Sequence, residues 1–197
     1  MAIDPQLVGT WIVDGAHSRI GFSTRHAMVT KIRGAFNTVA GEVHISPEGY
    51  TESNVQIVIQ AASIDTRQPG RDDHLRGPDF FDVERFPQIT FASTSIDEIA
   101  DENFIVTGDL TIRDVTRPVS LPLEFVGVET DQFGLLRAGV EGTRRIDRRD
   151  WGVKWNTPLD SGGVMVSDKI SLEFELSLTK QQEPAEQQAP EDQQQGW

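Results

Sequence analysis

Apolar and polar residues alternate along most of this chain. Ile20, Phe22, Thr24, His26 and Met28 share one parity, and Arg19, Gly21, Ser23, Arg25 and Ala27 share the other. A period of two is that of a half-buried β-strand. It returns in Val55, Ile57, Ile59 and Ala61, in Val106, Gly108, Leu110 and Ile112, and in Val119, Leu121, Leu123 and Phe125. It is cleanest near the end, where Ile170, Leu172, Phe174, Leu176 and Leu178 alternate with Ser171, Glu173, Glu175 and Ser177. Further strands are expected at 9–14, 41–46, 89–96 and 135–145. Pro122 inside an otherwise regular run marks an edge or a bulge. Eight or more strands with little helix predict an all-β domain, either a sandwich or an up-and-down barrel. Several runs are long for a compact sandwich core. Closing eight strands removes the exposed edges and leaves an interior about wide enough for one slender ligand.

The stretch 62–91 breaks the pattern. Asp72 and Asp73 precede His74-Leu75, and Asp79 precedes Phe80-Phe81, so acidic residues stand where helix N-termini favour them and Asp79 reads as an N-cap. Pro87 pushes Phe86 toward an extended conformation. A short helical insertion near residues 71–86 is predicted, carrying two phenylalanines that cover something built by the strands.

Several motifs are specific. S-I-D-T (63–66), R-D-x-H-L (71–75), D-F-F-D-V (79–83) and F-P-x-I-T-F (86–91) follow in tight order. Before them comes D-x-x-H-S-x-I-x-F-x-x-x-H (14–26), leading to Ile32-Arg33-Gly34-Ala35-Phe36; after them come G-D-L-T-I-R-D-V-T-R-P-V (108–119) and I-D-R-R-D-W-G (146–152). From about residue 9 to 180 the chain resembles the YceI-like family of polyisoprenoid-binding, lipocalin-like proteins. It departs from the family at Asp114, where glycine is usual, and at Asp147, where asparagine is usual. Aspartate tolerates a left-handed turn, but a carboxylate cannot donate the hydrogen bonds of an amide. The resemblance implies an eight-stranded antiparallel lipocalin-like barrel over 9–180. It also implies a bound isoprenoid, isoprenoid quinone or fatty-chain lipid rather than a cofactor, a role in carriage (transport), storage or sequestration, and paired barrels as a possible homodimer. Residues 1–8 read as an arm. The Gln/Glu/Pro-rich stretch 181–197 reads as a disordered tail.

Phe22, Phe36, Ile57, Ile59, Phe91, Leu110, Phe125 and Phe174 are expected to face one interior. The residues alone fit a filled core as well as a tunnel; the resemblance favours the tunnel. Phe80 and Phe81 are then expected to cap one end, with Trp151 and Trp155 bordering the other. His26, on the apolar face, is either a hydrogen-bonded interior histidine, the commoner case, or the residue that meets a polar ligand group.

Net charge changes the list of partners. At −13, the chain repels phosphate backbones, so nucleic acid is not an expected partner. No apolar run reaches membrane-spanning length, so stable insertion is not expected. Met1-Ala2-Ile3-Asp4-Pro5 shows no basic stretch followed by an apolar one, which favours a cytoplasmic location, although family members are often exported. There is no cysteine. His17, His26, His44 and His74 show no metal-ligand spacing. Asp14, His17 and Ser18 are the residue types of a nucleophilic triad, but they are too close in sequence for its usual geometry, and no G-x-S-x-G elbow appears. Arg144, Arg145, Arg148 and Arg149 form a dense basic patch suited to an anionic head group, with Asp147 and Asp150 available to neutralise it. Two other readings stay open: an enzyme acting on an isoprenoid-like lipid through His26 or His74 with a carboxylate, and a filled-core protein-interaction module.

Overall fold

The computed structural model describes residues 3–181; the tail from 182 onward lies outside them. In chain order the strands are β1 (Gly9–Val13), β2 (Arg19–His26), β3 (Thr30–Phe36), β4 (Val39–Ser46), β5 (Gly49–Gln60), β6 (Ile64–Asp65), β7 (Gln88–Ala100), β8 (Asn103–Ile112), β9 (Val115–Thr130), β10 (Leu136–Asp147) and β11 (Lys169–Lys180). One α-helix, α1 (Pro69–Arg76), lies between β6 and β7.

Every strand pairing is antiparallel, and the order is β1-β4-β5-β7-β8-β9-β10-β11-β2-β3-β6, with β1 also paired to β11. The eleven strands build eight staves. β1 and β2 are two halves of one bent stave, and β3 and β4 are two halves of the next, since β1 pairs with β4 (Trp11 opposite Val43) while β2 pairs with β3 (Ile20 opposite Phe36). Likewise β5 turns through a short 3-10 segment into β6, which lies against β3. β11 closes the ring: Leu178 lies opposite Val13 in β1, and Leu172 lies opposite Phe22 in β2. The result is a closed eight-stranded antiparallel barrel, which decides between the sandwich and the barrel.

Up-and-down connectivity sends alternate connections to the same end. The β2–β3 hairpin tip, the helical insertion, the β8–β9 turn and the β10–β11 connection therefore share one end. The arm and the end of β11 share the other, where Trp11 Nε1 donates to the Leu7 carbonyl at 2.8 Å and Lys180 Nζ donates to the Gln6 carbonyl at 2.6 Å.

Three local expectations are corrected. The helix starts at Pro69, with the Gln68 side chain accepting from Arg71 N–H; proline at the first helical position suits a start there. It stops at Arg76, because Gly77-Pro78 breaks it, and Phe80-Phe81 lie in turns. Asp79 caps no helix; its carboxylate accepts from His74 Nε2 at 2.9 Å. In the β8–β9 turn the left-handed residue is Arg113 (φ 57°), not Asp114. A two-residue hairpin turn with positive φ at its first central position makes no such demand on the second.

The barrel wall parts between β9 and β10. Their ladder runs only as far as Leu123 opposite Gly142, so Pro118 and Pro122 fall where β9 pairs with β8 alone. There proline's missing N–H is tolerated. A register shift leaves Val126 bulged between Phe125 and Gly127. The 3-10 turn Arg148–Trp151 fills the gap: Trp151 Nε1 donates to the Leu110 carbonyl at 2.9 Å and Arg117 Nε donates to the Asp150 carbonyl at 3.2 Å.

At Gly108 an added methyl group would overlap the Ala92 carbonyl and the Phe91 ring. Gly108→Ala is expected to destabilise the fold by about 1–3 kcal/mol, read from a shifted urea midpoint at unchanged slope.

A charge chain ties the two sides of the closure. Arg137 of β10 donates to Asp14 at 2.7 Å and to Asp131 at 2.7 Å, and His17 Nδ1 lies 2.7 Å from Asp14. The Arg137 hydrogen bond lowers the Asp14 pKa from 3.8 to about 2, aided by His17 and opposed by burial. A carboxylate whose folded pKa is depressed contributes stability above its unfolded pKa and loses it as pH falls through the folded one. The stability difference between wild type and Arg137→Met should be full above about pH 4 and vanish near pH 2. A difference independent of pH across that window, measured by denaturant unfolding, would contradict it.

Candidate functional site: an apolar cavity inside the barrel

The inward parity of the staves does not fill the barrel. A cavity of about 190 Å3 remains. Phe22, Phe36, Ile57, Ile59, Phe91, Leu110 and Phe174 line it, as the strand pattern predicts, and Phe80 and Phe81 line it from the helical insertion. The rest of its wall includes Ile20, Val55, Ile89, Leu172, Leu176, Val153 and Val166. Thr24 and Arg148 are the polar residues among those lining it. The β-strand residues were legible by parity, whereas Val153 and Val166 sit in the irregular β10–β11 connection, where no periodicity marks them. An apolar void of this size is comparable to cavities that stay dry and take up small apolar molecules. At roughly 24 cal/mol per Å3, leaving it empty costs about 4–5 kcal/mol relative to a packed core.

Three predicted residues lie elsewhere. Phe125 has the inward parity but sits at the far end, where its N–H donates to the Glu102 carbonyl at 2.7 Å. There it packs against the core outside the cavity. His26 is at the rim, bridged to Val166 at the last residue of β2, and is not among the residues that line the cavity. Trp155 is not opposite Phe80 and Phe81 but beside them: the Phe80 and Trp155 ring centroids are 5.3 Å apart, and His74 packs edge-on against both, at 5.1 Å and 4.7 Å. Trp151 is buried in the wall gap. Both connections belong to the same end by stave count, so the capping aromatics form one cluster. Phe81 stacks edge-on to Phe36 at 5.6 Å and continues the cluster inward.

The basic patch is a fastening rather than an open anion site. Arg148 is 6% exposed. Its guanidinium donates to the carbonyls of Val153 (2.8 Å), Trp155 (2.9 Å) and Ser167 (3.1 Å), and to the Asp168 carboxylate (3.1 Å). It thus staples the β10–β11 connection, Trp155 included, over the barrel end. Asp147 accepts from Arg149 at 2.7 Å and from Lys169 at 3.2 Å. The Arg149 hydrogen bond holds its carboxyl well below the usual carboxylate range. Every partner is a donor, so aspartate serves in the usual asparagine's place. Arg144 and Arg145 are exposed.

No nucleophilic triad forms at Asp14. His17 pairs with Asp14, while Ser18 Oγ donates to the Ser177 carbonyl at 3.3 Å. Among the described residues no cluster of His, Asp or Glu could hold a metal ion, and no helix is long and apolar enough to cross a membrane. The continuous cavity weighs against a filled-core module.

A closed antiparallel barrel with an apolar interior, covered at one end by a helical insertion and aromatic side chains, defines a lipocalin-like class. Within it the chain belongs to the YceI-like domain family, whose profile matches residues 11–178. A UPF0312 protein of Vibrio parahaemolyticus is 35% identical over 145 residues, 73% of this chain and 77% of that one. A UPF0312 protein of Staphylococcus aureus is 34% identical over 169 residues, 83% and 96% of the two chains. The crystal structure of Burkholderia cenocepacia BcnA superposes with a TM-score of 0.73 at 26% identity, covering 84% of this chain and 98% of that one. A polyisoprenoid-binding domain from Saccharophagus degradans, implicated in plant cell wall breakdown, shares the fold at a TM-score of 0.68 and 15% identity, covering 87% and 98%.

Trp155→Ala removes two aromatic pairs worth about 0.5–1.5 kcal/mol each. Stopped-flow uptake of an apolar fluorescent probe should therefore speed by roughly tenfold, with stability, read from the unfolding midpoint, lowered by no more than the loss of those pairs, about 1–3 kcal/mol. An unchanged uptake rate would show that the cluster does not gate the cavity.

Proposed function

We propose that this barrel binds the hydrocarbon chain of a polyisoprenoid, or of a similar long-chain amphiphile, in its interior, for carriage, storage or sequestration. The observation that carries the reading is the continuous cavity with apolar walls in a protein whose closed barrel leaves it no structural purpose. Each buried methylene is worth about 0.8 kcal/mol, so a chain binds without polar contacts. The polyisoprenoid-binding name of the Saccharophagus neighbour points the same way. At about 190 Å3, the cavity falls short of the roughly 300–1,000 Å3 of ordinary ligand pockets. A long chain therefore enters by turning the Phe80–Phe81 aromatics aside, and its head group stays near the rim. Binding rather than catalysis is the activity in this reading.

Native mass spectrometry with solvent extraction tests it. The wild-type protein should carry a prenyl or acyl lipid, or take up added polyprenol, at near one per chain. Leu172→Trp, which places an indole in the cavity, should lose that mass increment while keeping its β-sheet circular dichroism. A wild-type protein that stays lipid-free in the presence of polyprenol would overturn the reading.

A further inference from the structure

The stretch from Gly15 to Gly41 contains no acidic residue and four bases, Arg19, Arg25, Lys31 and Arg33, in a chain of net charge −13. Arg19 is spoken for by Glu173 at 3.3 Å. The other three lie on the β2–β3 hairpin, where Arg25 is directly opposite Lys31 and Arg33 is one pair further along the same face. Like charges set opposite one another weaken a strand pair. Among the described residues no carboxylate forms an ion pair with any of the three.

The hairpin ends in apolar side chains held in water. Met28 is 55% exposed and Val29 73%. Ala27 and Met28 adopt left-handed φ of 47° and 63°, a costly conformation for residues with a Cβ. The neighbouring loop extends this edge. Ala27 N–H donates to the Met165 carbonyl at 2.7 Å, and Val164, 36% exposed, is bridged to Pro158 beside it. Asp160 is the one acid in residues 155–167. Strain, opposed like charges and exposed apolar tips all weaken the fold, and they coincide at the cavity's end of the barrel: Thr24 and Val166, which line the cavity, adjoin this edge.

We infer that the β2–β3 tip docks the barrel on an anionic membrane surface. Met28 and Val29 enter the headgroup layer, and Arg25, Lys31 and Arg33 meet lipid phosphates. Apolar tips flanked by bases are the chemistry of interfacial anchoring. The acidity of the rest of the chain, including the helical insertion at the same end, turns this hairpin rather than its neighbours toward such a surface. Docking involves only exterior residues and does not rest on what fills the cavity.

Flotation with vesicles of mixed phosphatidylglycerol and phosphatidylcholine, free of prenyl lipid, is the test. The wild-type protein should float with mixed vesicles, not with pure phosphatidylcholine, and should come off in high salt. Each base at an anionic surface is worth roughly fivefold in partition. Lys31→Glu/Arg33→Glu should therefore lower partition by tenfold or more, on the order of that per-base factor compounded. Val29→Asp should also reduce it, and both variants should keep their lipid uptake by native mass spectrometry. Absence of flotation, or equal flotation of wild type and both variants, overturns the proposal. A dimer in sedimentation velocity that Val29→Asp breaks, with no flotation by either protein, also overturns it and makes this edge a contact between two copies.

Discussion

The sharing of β11 between two partners is the constraint on which the structure depends. Its second half pairs with β1 and its first half with β2. This is possible because the first stave bends between Val13 and Arg19 instead of running straight. Closure leaves no long sheet edge except at the seam between β9 and β10, and it forces the apolar parity of every stave toward a common axis. The inward side chains from Phe22 round to Phe174 then meet across a volume they do not fill. The cavity is thus a consequence of closing eight staves with side chains of this size.

Closure is incomplete at one seam, and the seam shapes the end covered by the aromatics. β9 and β10 separate beyond Leu123 and Gly142, and the Arg148–Trp151 turn enters the gap. Trp151 plugs it from within, while Arg148 spends its guanidinium on three backbone carbonyls and Asp168 of the overlying connection. A buried guanidinium satisfied in this way fixes a loop that has little secondary structure of its own. Trp155 is carried by that loop to the Phe80–His74 pair carried by the helical insertion. The aromatic cover is therefore assembled from two chain segments far apart in sequence, one of them held by a single arginine.

Much of this was legible in the residues. The strands were, because each stave keeps one face inward, as Leu172, Phe174 and Leu176 show against Glu173 and Glu175. Barrel against sandwich was not, because both impose the same alternation; the family motifs favoured the barrel and the β1–β11 pairing decided it. The helix start was written in Gln68-Pro69, a cap residue before a first-turn proline, but the acids at 72 and 73 drew attention two residues too far on. Phe125 has the correct parity and the wrong depth, since parity reports the face and not the position along the axis. The shared end of Trp155 and Phe80 could have been found by counting staves, because connections of the same parity fall at the same end. Arg148 gave no signal that separated it from its neighbours Arg149, Arg145 and Arg144; only the folded loop shows which arginine is buried.

The central claim is that the interior is a dry apolar void rather than a packed core. Crystals of the lipid-extracted protein under xenon pressure test it most directly, since xenon occupies apolar cavities that water avoids. The account predicts xenon density among Phe22, Phe91, Leu110 and Phe174. Ordered waters in that space, or side chains collapsed into it with no xenon bound, would contradict it.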